Sequence, residues 1–82
     1  MYFVYVLYSR VFDRIYIGMT QNISNRLQEH NTGQNTSTKA FVPWEMVYIE
    51  NLETRILARA KEIKLKSSSG RRFIRKNYLT IT

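Results

Sequence analysis

The chain begins with an unbroken apolar run. Residues 2–8 read YFVYVLY, aromatic and β-branched, with no polar position to mark a solvent face. Such a run suits a strand buried on both sides, hence the central strand of a sheet. Residues 9–14 form a short, mostly polar stretch, with Asp13 as a turn residue, and residues 15–19 are strand-like again. So short a connection predicts an antiparallel hairpin. The apolar period then changes. Ile23 and Leu27 are four apart, Asn22 precedes them as a helix N-cap, and Gly33 stands where a left-handed cap would end the helix. A first helix is expected over residues 23–31, followed by a polar loop over 34–40. Residues 44–50 alternate Trp44, Met46 and Tyr48 against Glu45, Val47 and Ile49, which predicts a third strand with one face partly exposed. A second helix, capped by Asn51 or Thr54, runs to about Lys66, with Ile56, Ala60 and Ile63 at helical spacing as its apolar face. The SSSG stretch at 67–70 breaks it. Residues 71–78 read as a last short helix anchored by Phe73 and Ile74. The order β-β-α-β-α-α predicts the α+β class: a small three-stranded antiparallel sheet flanked by about three helices.

Length adds that the 82 residues form a single domain, 1–82, with a thin core. The absence of cysteine excludes disulfides and thiolate metal sites. Thirteen Lys and Arg against six Asp and Glu leave a formal charge of +7, which favours a polyanionic partner, nucleic acid first. The apolar opening run lacks a basic flank and a small-residue cleavage site, and it is too short to span a bilayer. The expectation is a cytoplasmic protein without a membrane partner.

Candidate chemistry concentrates in residues 16–30, YIGMTQNISNRLQEH. Arg26 and His30 are four apart and share one helical face. With a nucleic-acid partner favoured by charge, two residue types draw interest: proton acceptors, and cations that can meet phosphoryl charge. Carboxylates are scarce: Asp13, Glu29, Glu45, Glu50, Glu53 and Glu62. Glu62 stands mid-helix on a face with Arg55, Arg59 and Lys66, a lone acid among cations. The structural alternatives are ordinary ones. Glu62–Lys66 fits an i,i+4 surface pair, Tyr5 and Tyr16 fit strand packing, Arg26 an exposed helical position, and His30 a helix C-terminus.

The register of this stretch resembles the signature of the GIY-YIG nuclease family. Tyr16-Ile17-Gly18 is the second tripeptide, Thr20 follows two residues later, Arg26 eight residues after Gly18, and His30 four beyond. Phe3-Val4-Tyr5 stands for the first tripeptide, with Phe in place of its Gly, and Glu62-Ile63-Lys64 matches a pattern of small family members. The likeness reaches from Tyr2 to about Lys76. It implies Mg²⁺- or Mn²⁺-dependent hydrolysis of DNA phosphodiesters. By the same resemblance Tyr5 takes a proton from water directly or through a relay, and Tyr16 orients water or phosphate. Arg26 holds the phosphate, His30 accepts a proton or holds a tyrosine hydroxyl, Glu62 ligates the metal, and Gly18 is structural. The family's downstream Asn has no counterpart at the expected place, and Asn77 is not assigned.

Nine of the thirteen basic residues lie beyond residue 54. Arg55, Arg59, Lys66, Arg71, Arg72 and Arg75 are the candidates for a sequence-independent nucleic-acid surface. The rival reading is a non-catalytic nucleic-acid-binding module on the same fold. A third, a basic structural protein, leaves the spacing from Tyr16 to His30 unexplained. A structure-selective role in repair or recombination, with or without a protein partner, is compatible with the first reading.

Overall fold

The computed structural model describes residues 1–79. Strands β1 (Tyr2–Ser9) and β2 (Arg14–Thr20) lead to helix α1 (Arg26–Asn31), a 3₁₀ turn (Lys39–Phe41), strand β3 (Glu45–Leu52) and helices α2 (Arg55–Lys66) and α3 (Ser68–Tyr78). The sheet order is β2-β1-β3 and both pairings are antiparallel. The unbroken apolar run is thus the central strand, as expected from its pattern. Its alternate residues serve two cores. Val4 and Val6 pack with Ile17 against Ala58, Leu65 and Ile74 of α2 and α3. Tyr5 and Leu7 pack with Trp44 beneath Tyr16, Ile23 and Leu27.

The hairpin turn holds Asp13 at φ 53°, a left-handed position that Asp tolerates better than most residues. Asp13 accepts from Tyr8 Oη at 2.9 Å and from Arg75 Nη1 at 2.9 Å, so the turn also anchors α3. Gly33, at φ 82°, follows the end of α1 as predicted.

Several local expectations change. α1 starts at Arg26 rather than Ile23, because Asn22 is engaged with Thr20 and Ser24 instead of capping the helix. Asn51 belongs to β3, and Thr54 caps α2 by accepting from the Leu57 N–H at 3.2 Å. Only Ser67 separates the last two helices. Its hydroxyl caps α3 at the Gly70 N–H, so residues 68–70 form the first turn of α3. A Cβ on Gly70 would stand 2.2 Å from the Lys64 carbonyl oxygen, and the close helix–helix approach therefore requires glycine. Trp44 precedes β3 and is buried, its indole N–H donating to the Thr38 carbonyl at 2.9 Å.

The largest revision concerns α2. Ile56, Ala60 and Ile63 face solvent, with Ile56 81% exposed, and the buried side carries Ala58, Glu62 and Leu65. Small Ala58 allows the helix to approach the sheet, and Leu65 fills the gap towards Ile74. The helix consequently turns a carboxylate inward and its most apolar stripe outward.

Candidate active site

The site is built from the centre of the sheet. Tyr5 on β1 is paired with Gly18 on β2, and a Cβ at Gly18 would lie 2.5 Å from Tyr5 Oη. The missing side chain is what lets the phenol lie across the neighbouring strand. α1 rests on the same side of the sheet through Leu27, with Ile23 packed there just before the helix, which brings His30 from the helix's last turn over both tyrosines. Tyr5 Oη and His30 Nε2 are 3.1 Å apart. The Tyr16 ring centroid is 4.8 Å from that of His30 and 6.3 Å from that of Tyr5. His30 is fully buried, and its Nδ1 lies 2.8 Å from Thr38 Oγ1.

Burial fixes the protonation of this pair. It raises the Tyr5 phenol well above its usual value of 10; Tyr16, Glu29 and Glu62 add to the rise and Arg26 opposes it. Burial also holds His30 below its usual 6.5, helped by the charge of Arg26 and opposed by Glu29. Near neutral pH a protonated phenol therefore faces a neutral imidazole.

Arg26 opens α1 and is held from two sides. Nη1 donates to Glu29 at 3.2 Å and Nη2 to Thr20 Oγ1 at 3.1 Å, while the buried Nε–H has no partner among the described residues. The guanidinium lines both of the depressions beside it, where charge-assisted donation to a phosphate oxygen suits it. Arg26 also separates two depressions. The larger, about 430 Å³, is lined by Tyr2, Thr20, Asn22 and Arg55 as well as Arg26. The smaller, about 250 Å³, lies between Arg26, Glu29, His30 and Asn35.

Glu62 is 7% exposed and pairs with Arg59 at 3.0 Å and Lys66 at 3.2 Å. Its charge reaches the Tyr5 phenol, as does that of Arg26, so acid and guanidinium act on one oxygen from two helices. Among the described residues no three His, Cys, Asp or Glu groups cluster as a protein cage for a metal. A single hard carboxylate fits Mg²⁺ or Mn²⁺, since Mg²⁺ keeps several waters and takes one or two carboxylates with substrate phosphate.

The basic candidates differ in their surroundings. Arg55 stands beside Arg26 at the larger depression, and Arg72 is exposed on α3. Arg59 and Lys66 are engaged with Glu62, Arg71 Nε donates to the Lys66 carbonyl at 3.3 Å, and Arg75 is tied to Asp13.

Two threonines complete the arrangement and are not among the sequence-derived candidates. Thr20 enters the sequence reading only through the signature spacing, and its buried hydroxyl orients Arg26. The Gly18-to-Arg26 spacing contains that signal. Thr38 lies in a stretch whose composition says only loop, and nothing in it points to His30.

A profile of the GIY-YIG catalytic domain matches residues 1–77. The chain is 35% identical over 72 residues to a UPF0213 protein of Pediococcus pentosaceus, covering 83% of this chain and 76% of that protein. It is 33% identical over 69 residues to a UPF0213 protein of Natronomonas pharaonis, covering 83% and 80% respectively. It is also 38% identical over 52 residues to the human structure-specific endonuclease subunit SLX1, a segment covering 58% of this chain and 19% of that protein.

Proposed function

The chain belongs to the GIY-YIG family of nuclease domains, and from that premise we propose that it is a metal-dependent endonuclease hydrolysing phosphodiester bonds in DNA. The observation that carries this reading is the buried Tyr5–His30 contact, with the charges of Arg26 and Glu62 both acting on the same phenol. Such a pair suits a relay better than a free phenolate. The Tyr5 oxygen takes a proton from the attacking water while its own hydrogen passes to His30 Nε2. The water oxygen bonds to phosphorus, the bond from phosphorus to one sugar oxygen breaks, and the leaving oxygen is protonated from solvent. Arg26, which lines both depressions, offers its guanidinium to the phosphoryl group, and Tyr16, its ring 4.8 Å from that of His30, would orient water or phosphate. Glu62 would hold Mg²⁺ or Mn²⁺, which when bound supplies Lewis-acid neutralisation of phosphoryl charge.

Arg55 and Arg72, with the other basic residues of α2 and α3, would carry the flanking DNA backbone. The likeness to a subunit named as structure-specific directs the choice of substrate to branched DNA, in repair or recombination, with a protein partner as a further expectation. Among the described residues no helix is long and apolar enough to cross a membrane. A cytoplasmic location is part of the same proposal.

The test is cleavage of plasmid and branched DNA with and without Mg²⁺ or Mn²⁺. Arg26→Ala and Glu62→Gln should each lower the rate by at least about 10²-fold, the scale of losing one group that stabilises transition-state charge, with folding nearly intact. Full activity in either variant refutes the assignment. One observation favours the non-catalytic alternative: both Glu62 oxygens are already paired with cations. Tight DNA binding without metal-dependent cleavage on any substrate would establish that alternative.

A further inference from the structure

We propose that Thr38 is a positioning residue that fixes His30 in the tautomer bearing its hydrogen on Nδ1, leaving Nε2 as the proton acceptor facing Tyr5. This assignment deepens the nuclease reading and rests on it for its catalytic consequence. Three groups form a buried line: the Tyr5 hydroxyl, the His30 ring and the Thr38 hydroxyl, with Tyr5–Nε2 at 3.1 Å and Nδ1–Thr38 at 2.8 Å. Beyond Thr38 stands the Asn35 carbonyl, 3.4 Å from Oγ1, which only accepts. One arrangement places every hydrogen: Tyr5 O–H to Nε2, Nδ1–H to Thr38 Oγ1, and Thr38 O–H to Asn35. The opposite tautomer would make Nε2–H donate to Tyr5. The phenol's own hydrogen would then have no protein acceptor among the described residues. In a site where Tyr5 is 2% and His30 0% exposed, an unplaced hydrogen costs the desolvation of its donor.

Thr38 is itself held rigidly, which a positioning role requires. It is 1% exposed. Its carbonyl accepts from Trp44 Nε1–H at 2.9 Å and from the Phe41 N–H at 3.1 Å. Trp44 is fixed in turn by Asn31 of α1, whose side chain accepts from the Trp44 N–H at 2.6 Å and donates to its carbonyl at 3.0 Å. The polar stretch after α1 is thereby folded back over the helix that carries His30. The arrangement follows the general rule that the bond made by one imidazole nitrogen sets the role of the other.

His30 is the only histidine, so ¹⁵N NMR of the ring in the full chain reports this site alone. At neutral pH the wild-type protein should show a protonated Nδ1 and an unprotonated Nε2. Thr38→Val removes the acceptor at nearly constant shape and should shift the ring towards a mixture or the Nε2–H form. Cleavage should fall by about 10- to 100-fold, the scale known for removing the partner behind a metal-bound imidazole. Thr38→Ser should restore the wild-type ring signals and most of the rate. A wild-type ring protonated on Nε2 overturns the proposal, and so does an unchanged tautomer in folded Thr38→Val. Should that variant not fold, the wild-type and Thr38→Ser spectra still decide the tautomer. If the ring behaves as expected and the wild-type protein cleaves no substrate, the tautomer assignment stands and the nuclease reading fails.

Discussion

At Gly18 the absence of one methyl group decides whether Tyr5 reaches His30. The added Cβ would stand 2.5 Å from Tyr5 Oη and 2.6 Å from Cζ, so the ring must move. Gly18→Ala is expected to cost about 1–3 kcal/mol of stability, the range for overpacking, and to remove cleavage even where the protein folds. Urea unfolding and the plasmid assay measure the two effects separately. His30 gives a second prediction, this one in pH. Its folded-state pKa lies below 6.5, so it is neutral in both folded and unfolded chains at higher pH and contributes no slope there. As pH falls from 6.5 towards the lower folded value, the unfolded chain takes up a proton that the native site refuses. Stability then declines. Cleavage should hold through pH 6.5 and fade only as pH falls through the lower folded value, since a protonated Nε2 cannot accept from Tyr5. A urea midpoint that is flat from pH 7 to 5 relative to a His30→Gln variant would contradict this account of the buried imidazole.

At the scale of elements, α2 shows how packing overrides periodicity. Its strongest apolar stripe, Ile56–Ala60–Ile63, faces water, while Ala58, Glu62 and Leu65 meet the sheet and α3. Leu65→Ala should therefore destabilise by about 2–5 kcal/mol, the range for a buried leucine. Ile63→Ser should stay within about 0.5 kcal/mol of wild type, as exposed substitutions do. Equal losses from the two, read from thermal unfolding, would contradict this orientation of the helix. The inward turn bears on the proposed site: it carries Glu62 into a partly desolvated position where its charge reaches Tyr5. Arg59 and Lys66 offset the cost of burying that carboxylate.

For the whole molecule the net charge of +7 predicts DNA affinity that falls steeply with salt. The basic residues should not contribute equally. Among the described residues Arg55 and Arg72 hold no ion pair, whereas Arg59, Lys66 and Arg75 do. Replacing Arg55 and Arg72 by Gln should lower the slope of log K against log salt by about 0.9 for each phosphate that is no longer neutralised. Arg75→Gln should act mainly on the anchoring of α3 to the hairpin turn. Fluorescence anisotropy on duplex DNA over a range of salt distinguishes these outcomes, and an unchanged slope in the double variant would remove α2 and α3 from the DNA surface.

The chain's own pattern determined the element order, the central place of β1, the hairpin and its turn at Asp13, and the left-handed position at Gly33. These depend on local sterics and on apolar runs, which neighbouring residues settle among themselves. The Tyr16–His30 register likewise carried the family likeness and the candidate set. Tertiary structure alone decided which face of α2 is buried, that Ser67 rather than the whole SSSG stretch divides the last helices, and that Trp44 lies inside. It also decided that Thr20 holds Arg26 and Thr38 holds His30. Each of those depends on contacts between residues distant in sequence or on backbone closeness, as at Gly70 against Lys64. A threonine's hydroxyl has no periodicity to betray it: it becomes a partner only once folding has set a guanidinium or an imidazole within reach.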